Sequence, residues 1–230
     1  MGARIAIVVP MLLVSAAATA QTVTLDEGTF RVRVGGRDIG TETFMIRQSG
    51  AGENATILAS GRTVVEGEAG SRELEANLEI AGTTLRPAAY NLTVEGGDEY
   101  SGRLVGRRMT ARIISPAAEN VREYLVSQGA TIIDEAVAHQ YYFLARRVPD
   151  GGERVPIVEP RQNRQTWATV TVDTAAPITV AGETVAATRF RVTPAGGGDE
   201  RTFWTDARGR VLRLEIPARQ LVVERTAVPH

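Results

Sequence analysis

The chain has 230 residues, 43% of them apolar and 23% charged, an ordinary globular composition that excludes a disordered chain. Its 26 basic and 27 acidic residues nearly cancel, so it carries no electrostatic footprint for nucleic acid. Cysteine is absent and histidine occurs twice, which removes disulfides, thiolate metal centres and cysteine catalysis; no metal and no cofactor is expected.

Residues 1–20, MGARIAIVVPMLLVSAAATA, begin with one charge at Arg4, continue with an apolar run from Ile5 to Val14, and end on Ala18-Thr19-Ala20. This order predicts a secretory signal peptide cleaved after Ala20, and a periplasmic or secreted location. The apolar run is about half of the ~20 residues that span a bilayer. With no Cys available for a thioether lipid, a lipoprotein is not expected. Every basic residue is Arg, so a Ser-x-x-Lys nucleophile, a Schiff-base lysine and a P-loop lysine are excluded as well.

From Thr29 onward the apolar pattern has period two, in short runs separated by Gly, Asp and Asn. Phe30–Val34 alternates apolar and charged residues, turns at Gly35-Gly36-Arg37-Asp38, and returns over Ile39–Ile46 as a hairpin. Glu73–Ile80 alternates throughout, with its even-numbered residues apolar, and its partner is expected to begin near Leu85. Further strands are predicted at Leu85–Val94, Tyr100–Val105 and Arg108–Ile114. In the last third they are predicted at Thr166–Val172, Glu183–Val192, Arg201–Thr205, Arg210–Ile216 and Gln220–Arg225. No sequence repeat of fixed period is present, which argues against propellers and solenoids.

One helix is expected between these regions, over residues 134–147, with Asp134 as N-cap and Arg146 and Arg147 at its C-terminal end. Val137, Tyr141, Leu144 and Val148 form its apolar stripe, and Tyr142 and Phe143 leave only a narrow polar face, so the helix should be mostly buried. Residues 149–164, rich in Pro, Gly and charge, are expected to form a loop. The fold class is thus all-β and mostly antiparallel. A curved half-barrel or two-layer sheet of roughly ten to twelve strands is expected, one domain over residues 21–230, with the helix on the concave side.

Chemistry is harder to find. Glu135 and His139 are four apart on the expected helix and are the only pairing suited to a hydrolase. The adjacent carboxylates Asp26-Glu27, Asp98-Glu99 and Asp199-Glu200 lie at turns and do not make a glycosidase pair. Asn54 and Asn91 stand in glycosylation sequons that read as chance matches. Arg103, Arg107, Arg108 and Arg112 form a basic cluster in which Arg103, Arg108 and Arg112 are candidates for anion binding. Val137, Tyr141, Leu144, Trp167 and Trp204 are candidates to line an apolar cavity between sheet and helix.

Three segments carry a family likeness: Phe30-x-Val32 with Gly35-x-x-x-Ile39-Gly40, the helix bearing Asp134, His139, Tyr142 and Leu144, and Phe203-Trp204-x-Asp206-x-x-Gly209-Arg210-x-Leu212. With them the chain resembles uncharacterised bacterial periplasmic proteins that look like distant relatives of the Lol-type lipoprotein carriers. That resemblance implies an incomplete barrel curled around helices and an apolar interior, and it supplies no active-site residues. The preferred reading is a non-enzymatic periplasmic protein binding an apolar or amphipathic small molecule, such as a lipid. Other readings are an envelope structural or protein-interaction component, using a sheet edge or the 149–164 loop, a hydrolase built on Glu135 and His139, and an outer-membrane barrel. The last is disfavoured by the 5% aromatic content. Oligomeric state is left open.

Overall fold

The computed structural model describes residues 22–67, 70–134, 137–162 and 164–230; the expected signal peptide and Glu135 lie outside them. The first half of the chain is a meander of eight strands: β1 (Thr22–Val34), β2 (Arg37–Ser49), β3 (Thr56–Gly67), β4 (Gly70–Ala81), β5 (Arg86–Val94), β6 (Glu99–Val105), β7 (Arg108–Ile114) and β8 (Glu119–Leu125). Then follow β9 (Thr131–Ile132), a 3-10 turn at Ala138–Gln140 and the helix α1 (Tyr141–Arg147). The second half holds β10 (Glu153–Glu159), β11 (Arg164–Asp173), β12 (Ile178–Val180), β13 (Glu183–Val185), β14 (Thr188–Pro194), β15 (Arg201–Thr205), β16 (Val211–Ile216) and β17 (Leu221–Arg225).

Fifteen of these strands form one sheet, in the order β8-β7-β6-β5-β4-β3-β2-β1-β17-β16-β15-β14-β11-β10-β9; β12 and β13 pair separately. All neighbours in the large sheet are antiparallel except β9 and β10. The first and last strands meet at its centre, with Phe30 opposite Arg225 and Val34 opposite Leu221. Its two edges, β8 and β9, are consecutive in sequence. Laid flat at about 4.8 Å per strand the edges would stand about 65 Å apart. The link from Leu125 to Thr131 reaches about 20 Å when fully extended, so the sheet has to roll. The rolled sheet stays open, with no ladder between β8 and β9. Across the gap, the Gln165 side chain donates to the Leu125 carbonyl at 3.0 Å.

Alternation decides what lies inside. In β4, Leu74, Ala76, Leu78 and Ile80 are buried while Glu75 faces solvent, as the period-two pattern requires. Burying a side chain such as Leu78 contributes about 1.5–3 kcal/mol. Tyr141, Tyr142, Phe143 and Leu144 of α1 enter the same core as the inward residues of both halves of the sheet. Phe190 stacks on Phe203 at 4.6 Å, and Tyr141 packs against Phe203 at 5.2 Å. The mostly antiparallel sheet curved over one helix is the architecture expected from the sequence.

Several details differ from expectation. There are seventeen strands among the described residues, against ten to twelve expected. The helix begins at Tyr141, and Asp134 does not cap it: the N-cap position belongs to Gln140, which makes no side-chain cap bond. Segment 149–164 is no simple loop, because it contains β10, whose Val155–Glu159 are all buried. A strand covered on both faces shows no alternation, and its Pro156 gives the segment the look of a loop. The expected strand 183–192 divides into β13 and β14 because its first residues leave the main sheet to pair with β12.

Candidate functional site

The expected cavity residues separate into two groups. Val137, Tyr141 and Leu144 are buried at 1% exposure or less, inside the packed core. Trp167 and Trp204 face the other way. Ala168 and Val170 point inward on β11, so parity sends Trp167 outward, where it is 39% exposed and Arg154 lies 5.1 Å from its ring. Phe203 points inward on β15, so its neighbour Trp204 packs outside against Ile178, Val180, Ala187 and Leu212, beneath the β12–β13 hairpin. These two tryptophans therefore line no interior space between sheet and helix.

His139 is buried at 1% exposure, and its Nε2 has no hydrogen-bond partner among the described residues. Its Nδ1 lies 2.7 Å from Glu42 of β2, and the Glu42 carboxyl group also accepts the backbone N–H groups of Ala138 and His139 at 2.8 and 3.1 Å. Phe44 stacks on the imidazole at 5.8 Å. A Cβ on Gly61 would stand 2.4 Å from the ring, so β3 needs glycine there. The carboxylate partner of His139 thus comes from a strand 97 positions away, where the sequence suggested Glu135. No cluster of three His, Asp or Glu suited to a metal ion occurs among the described residues.

Other buried carboxylates have arginine partners. Asp134 accepts the Tyr90 hydroxyl at 2.8 Å and Arg161 Nε at 2.5 Å. Burial, and then Asp134, push the Tyr90 phenol well above the usual tyrosine range. Glu159 pairs with both Arg164 and Arg201. Burial opposes the Arg201 charge, but Tyr141 and Glu159 outweigh it and hold the guanidinium above its ordinary pKa. Asp26 pairs with Arg225 at 2.5 Å, and burial raises its carboxyl group despite that partner. Asp206 accepts the N–H groups of Arg208 and Arg210 and pairs with the Arg210 side chain, which in turn grips the carbonyls of Pro229 and His230. The Asp206-x-x-Gly209-Arg210 segment is therefore a turn that ties down the chain end. Gly209 sits there at φ +69°, and a Cβ would come 2.8 Å from Arg146.

The arginines proposed for an anion behave differently from one another. Arg108 pairs with Glu123 and Arg112 with Glu119 on the outer face, whereas exposed Arg103 has no carboxylate partner among the described residues. Three other arginines share the lining of one cleft. A cleft of about 570 Å³ opens where the β4–β5 and β6–β7 turns meet the 126–130 link and the end of α1. Pro87, Leu104, Val126 and Ala130 give it an apolar wall, and Arg86, Arg107 and Arg147 give it charge; no Asp or Glu among the described residues lines it. Arg147 donates to the Leu85 carbonyl at 2.5 Å, while its Nε is buried without a partner. Burial lowers its pKa, so an anion beside it would restore what desolvation takes away. Of this trio the sequence reading included only Arg107. The available signal was meander parity: hairpin turns two apart fall at the same end of a sheet, which brings Arg86 and Arg107 together.

No protein-family model matches the chain, and no curated protein does. Among solved structures it is similar to a crystal structure of a beta-barrel-like protein of the domain of unknown function DUF1849 from Brucella abortus. The TM-score is 0.50 and the identity 10%, over 91% of this chain and 96% of that one. At that identity the likeness is one of fold, and it agrees with the rolled, mostly antiparallel sheet described above.

Proposed function

We propose that this chain is an exported, non-enzymatic protein that binds an amphipathic molecule carrying an anionic group, with the 126–130 cleft as its site. The observation that carries this reading is the lining: an apolar wall beside three arginines, with no Asp or Glu among the described residues that form it. Apolar surface supplies affinity and a few placed polar groups fix orientation, which is the usual division of labour in a small-molecule site. Arginine forks suit carboxylate, sulfate or phosphate oxygens. Residues 1–20 as a signal peptide, and the resemblance to Lol-type carriers, belong to this same reading.

The test is calorimetric titration of residues 21–230 with laurate, below its aggregation threshold, beside dodecanol and inorganic phosphate. Laurate should bind at least tenfold more tightly than either control. Ser127→Trp, which fills the cleft, should abolish binding while leaving the melting temperature unchanged. Equal binding of dodecanol, or undiminished binding by Ser127→Trp, would overturn the assignment.

A further inference from the structure

We infer that the β4–β5 turn, residues 82–85, is a latch on the cleft: Arg147 holds it shut through the Leu85 carbonyl, and an anion that takes Arg147 lets it open. The latch rests on the cleft being the ligand site, as proposed above, and concerns how that site opens. Leu85 stands at φ +52°, in the left-handed region that a bulky side chain adopts only under strain. Two contacts hold it there: its side chain packs against the core, and its carbonyl accepts Arg147 Nη2 at 2.5 Å. Thr84 and Arg86, on either side of it, line the cleft together with Arg147. Ala181 and Gln220 share that backbone conformation at other turns, but neither lines the cleft.

Guanidinium geometry gives the displacement its direction. Nε and Nη2 present two parallel donors on one edge, which a carboxylate or phosphate takes with two oxygens. Leu85 supplies a single neutral carbonyl to Nη2, and Nε stays buried without a partner. An oxyanion satisfies both donors and neutralises the charge as well. With Leu85 in place Nε is covered, so an anion gains it only when something moves, and the strained turn is the part that gains by moving. The neighbouring Arg146 shows the opposite arrangement. It donates to the Arg208 and Gly209 carbonyls at 2.6 and 3.0 Å and lies 3.5 Å from the centre of the Tyr142 ring. Its turn places glycine at the left-handed position, Gly209 at φ +69°. Two consecutive arginines at the end of α1 thus grip one turn from each half of the sheet, and of the two turns the one beside the cleft is strained.

The experiment exploits the absence of cysteine from the chain. In residues 21–230, Thr83→Cys and Asp150→Cys carry spin labels on the turn and just beyond α1, at exposed positions that do not line the cleft. The distance between the labels is measured by pulsed electron resonance with and without laurate, and calorimetry on the labelled protein supplies the binding arm. One distance is expected in the free protein and a second, longer one with laurate. Arg147→Met should give the longer distance with no ligand present, lowering the ratio of closed to open turns about tenfold, the effect of losing one hydrogen bond to a charged group. Arg146→Met, at the same helix end but outside the cleft, should leave the distance at the parent value. Laurate binding without a change of distance overturns the latch and leaves the cleft as ligand site intact; no binding of laurate by the parent overturns the cleft as ligand site, and the latch with it. A distance that does not respond to Arg147→Met, or responds equally to Arg146→Met, overturns the latch as well.

Discussion

The arginines around the core and those around the cleft obey opposite rules. Arg201, Arg210 and Arg225 each face a carboxylate inside the fold, and Arg161 reaches in to Asp134. Among the described residues Arg86, Arg103 and Arg107 have no such partner, and none that lines the cleft is an acid. With lysine absent from the sequence, the same side chain serves both purposes. Residue type alone therefore says nothing about role; the presence of a buried counter-charge does. Paired arginines hold strands together, and unpaired ones at the open end remain available to a ligand.

That contrast can be broken most severely at the centre of the sheet. Arg225→Met leaves Asp26 buried without its counter-charge and strips hydrogen bonds from the Val211 and Glu27 carbonyls. A loss of about 3–5 kcal/mol is expected in urea denaturation. Asp26→Asn in the same background should recover part of it, because the orphaned charge is then gone. Glu42→Ala should cost about 2–3 kcal/mol, since His139 and two backbone N–H groups lose their acceptor together.

Alkaline titration sharpens the comparison from another side. Because burial and Asp134 hold the folded-state pKa of Tyr90 well above that of the unfolded chain, its contribution is complete below about pH 10 and is lost as the pH rises toward the folded value. Stability should fall by about 1.4 kcal/mol per pH unit above pH 10 from this group. Urea midpoints across that range measure the slope, and Tyr90→Phe should flatten it. The smallest change in stability is expected at the cleft. Arg86→Ala and Arg107→Ala should each stay within about 0.5 kcal/mol of the parent, while laurate affinity falls about tenfold per residue. A large stability loss there would erase the distinction.

Alternation located β2, β4, β15 and β17 within a few residues, whereas β1, expected from Phe30, begins eight residues earlier at Thr22. The strands that escaped notice were β3, β8, β9, β10 and β12; β3 alternates over Ile57, Leu58 and Ala59, and β9 and β12 are only two and three residues long. β10 is buried on both sides, and β8 is exposed at every residue but Tyr124. The helix was recognisable from its aromatic stripe, but its start was misplaced because Asp134 has the look of a cap and acts instead as a buried acceptor. The inward or outward sense of Trp167 and Trp204 depends on register, which pairing sets and local composition does not. The pairing of Glu42 with His139 joins distant positions, so no local pattern contained it.

Placing the first strand beside the last has a consequence for how the chain reaches its native state. Asp26 and Arg225, 199 positions apart, can meet only when the whole polypeptide is available. Strands β2–β8 need nothing but adjacent hairpins, so that wing can assemble early from local contacts. Closure of β1 on β17 has to wait, and contacts of such long separation fold slowly. A chain cut before Leu221 would lose β17, leaving β1 and β16 as two raw edges in the middle of the sheet, where unpaired backbone invites aggregation.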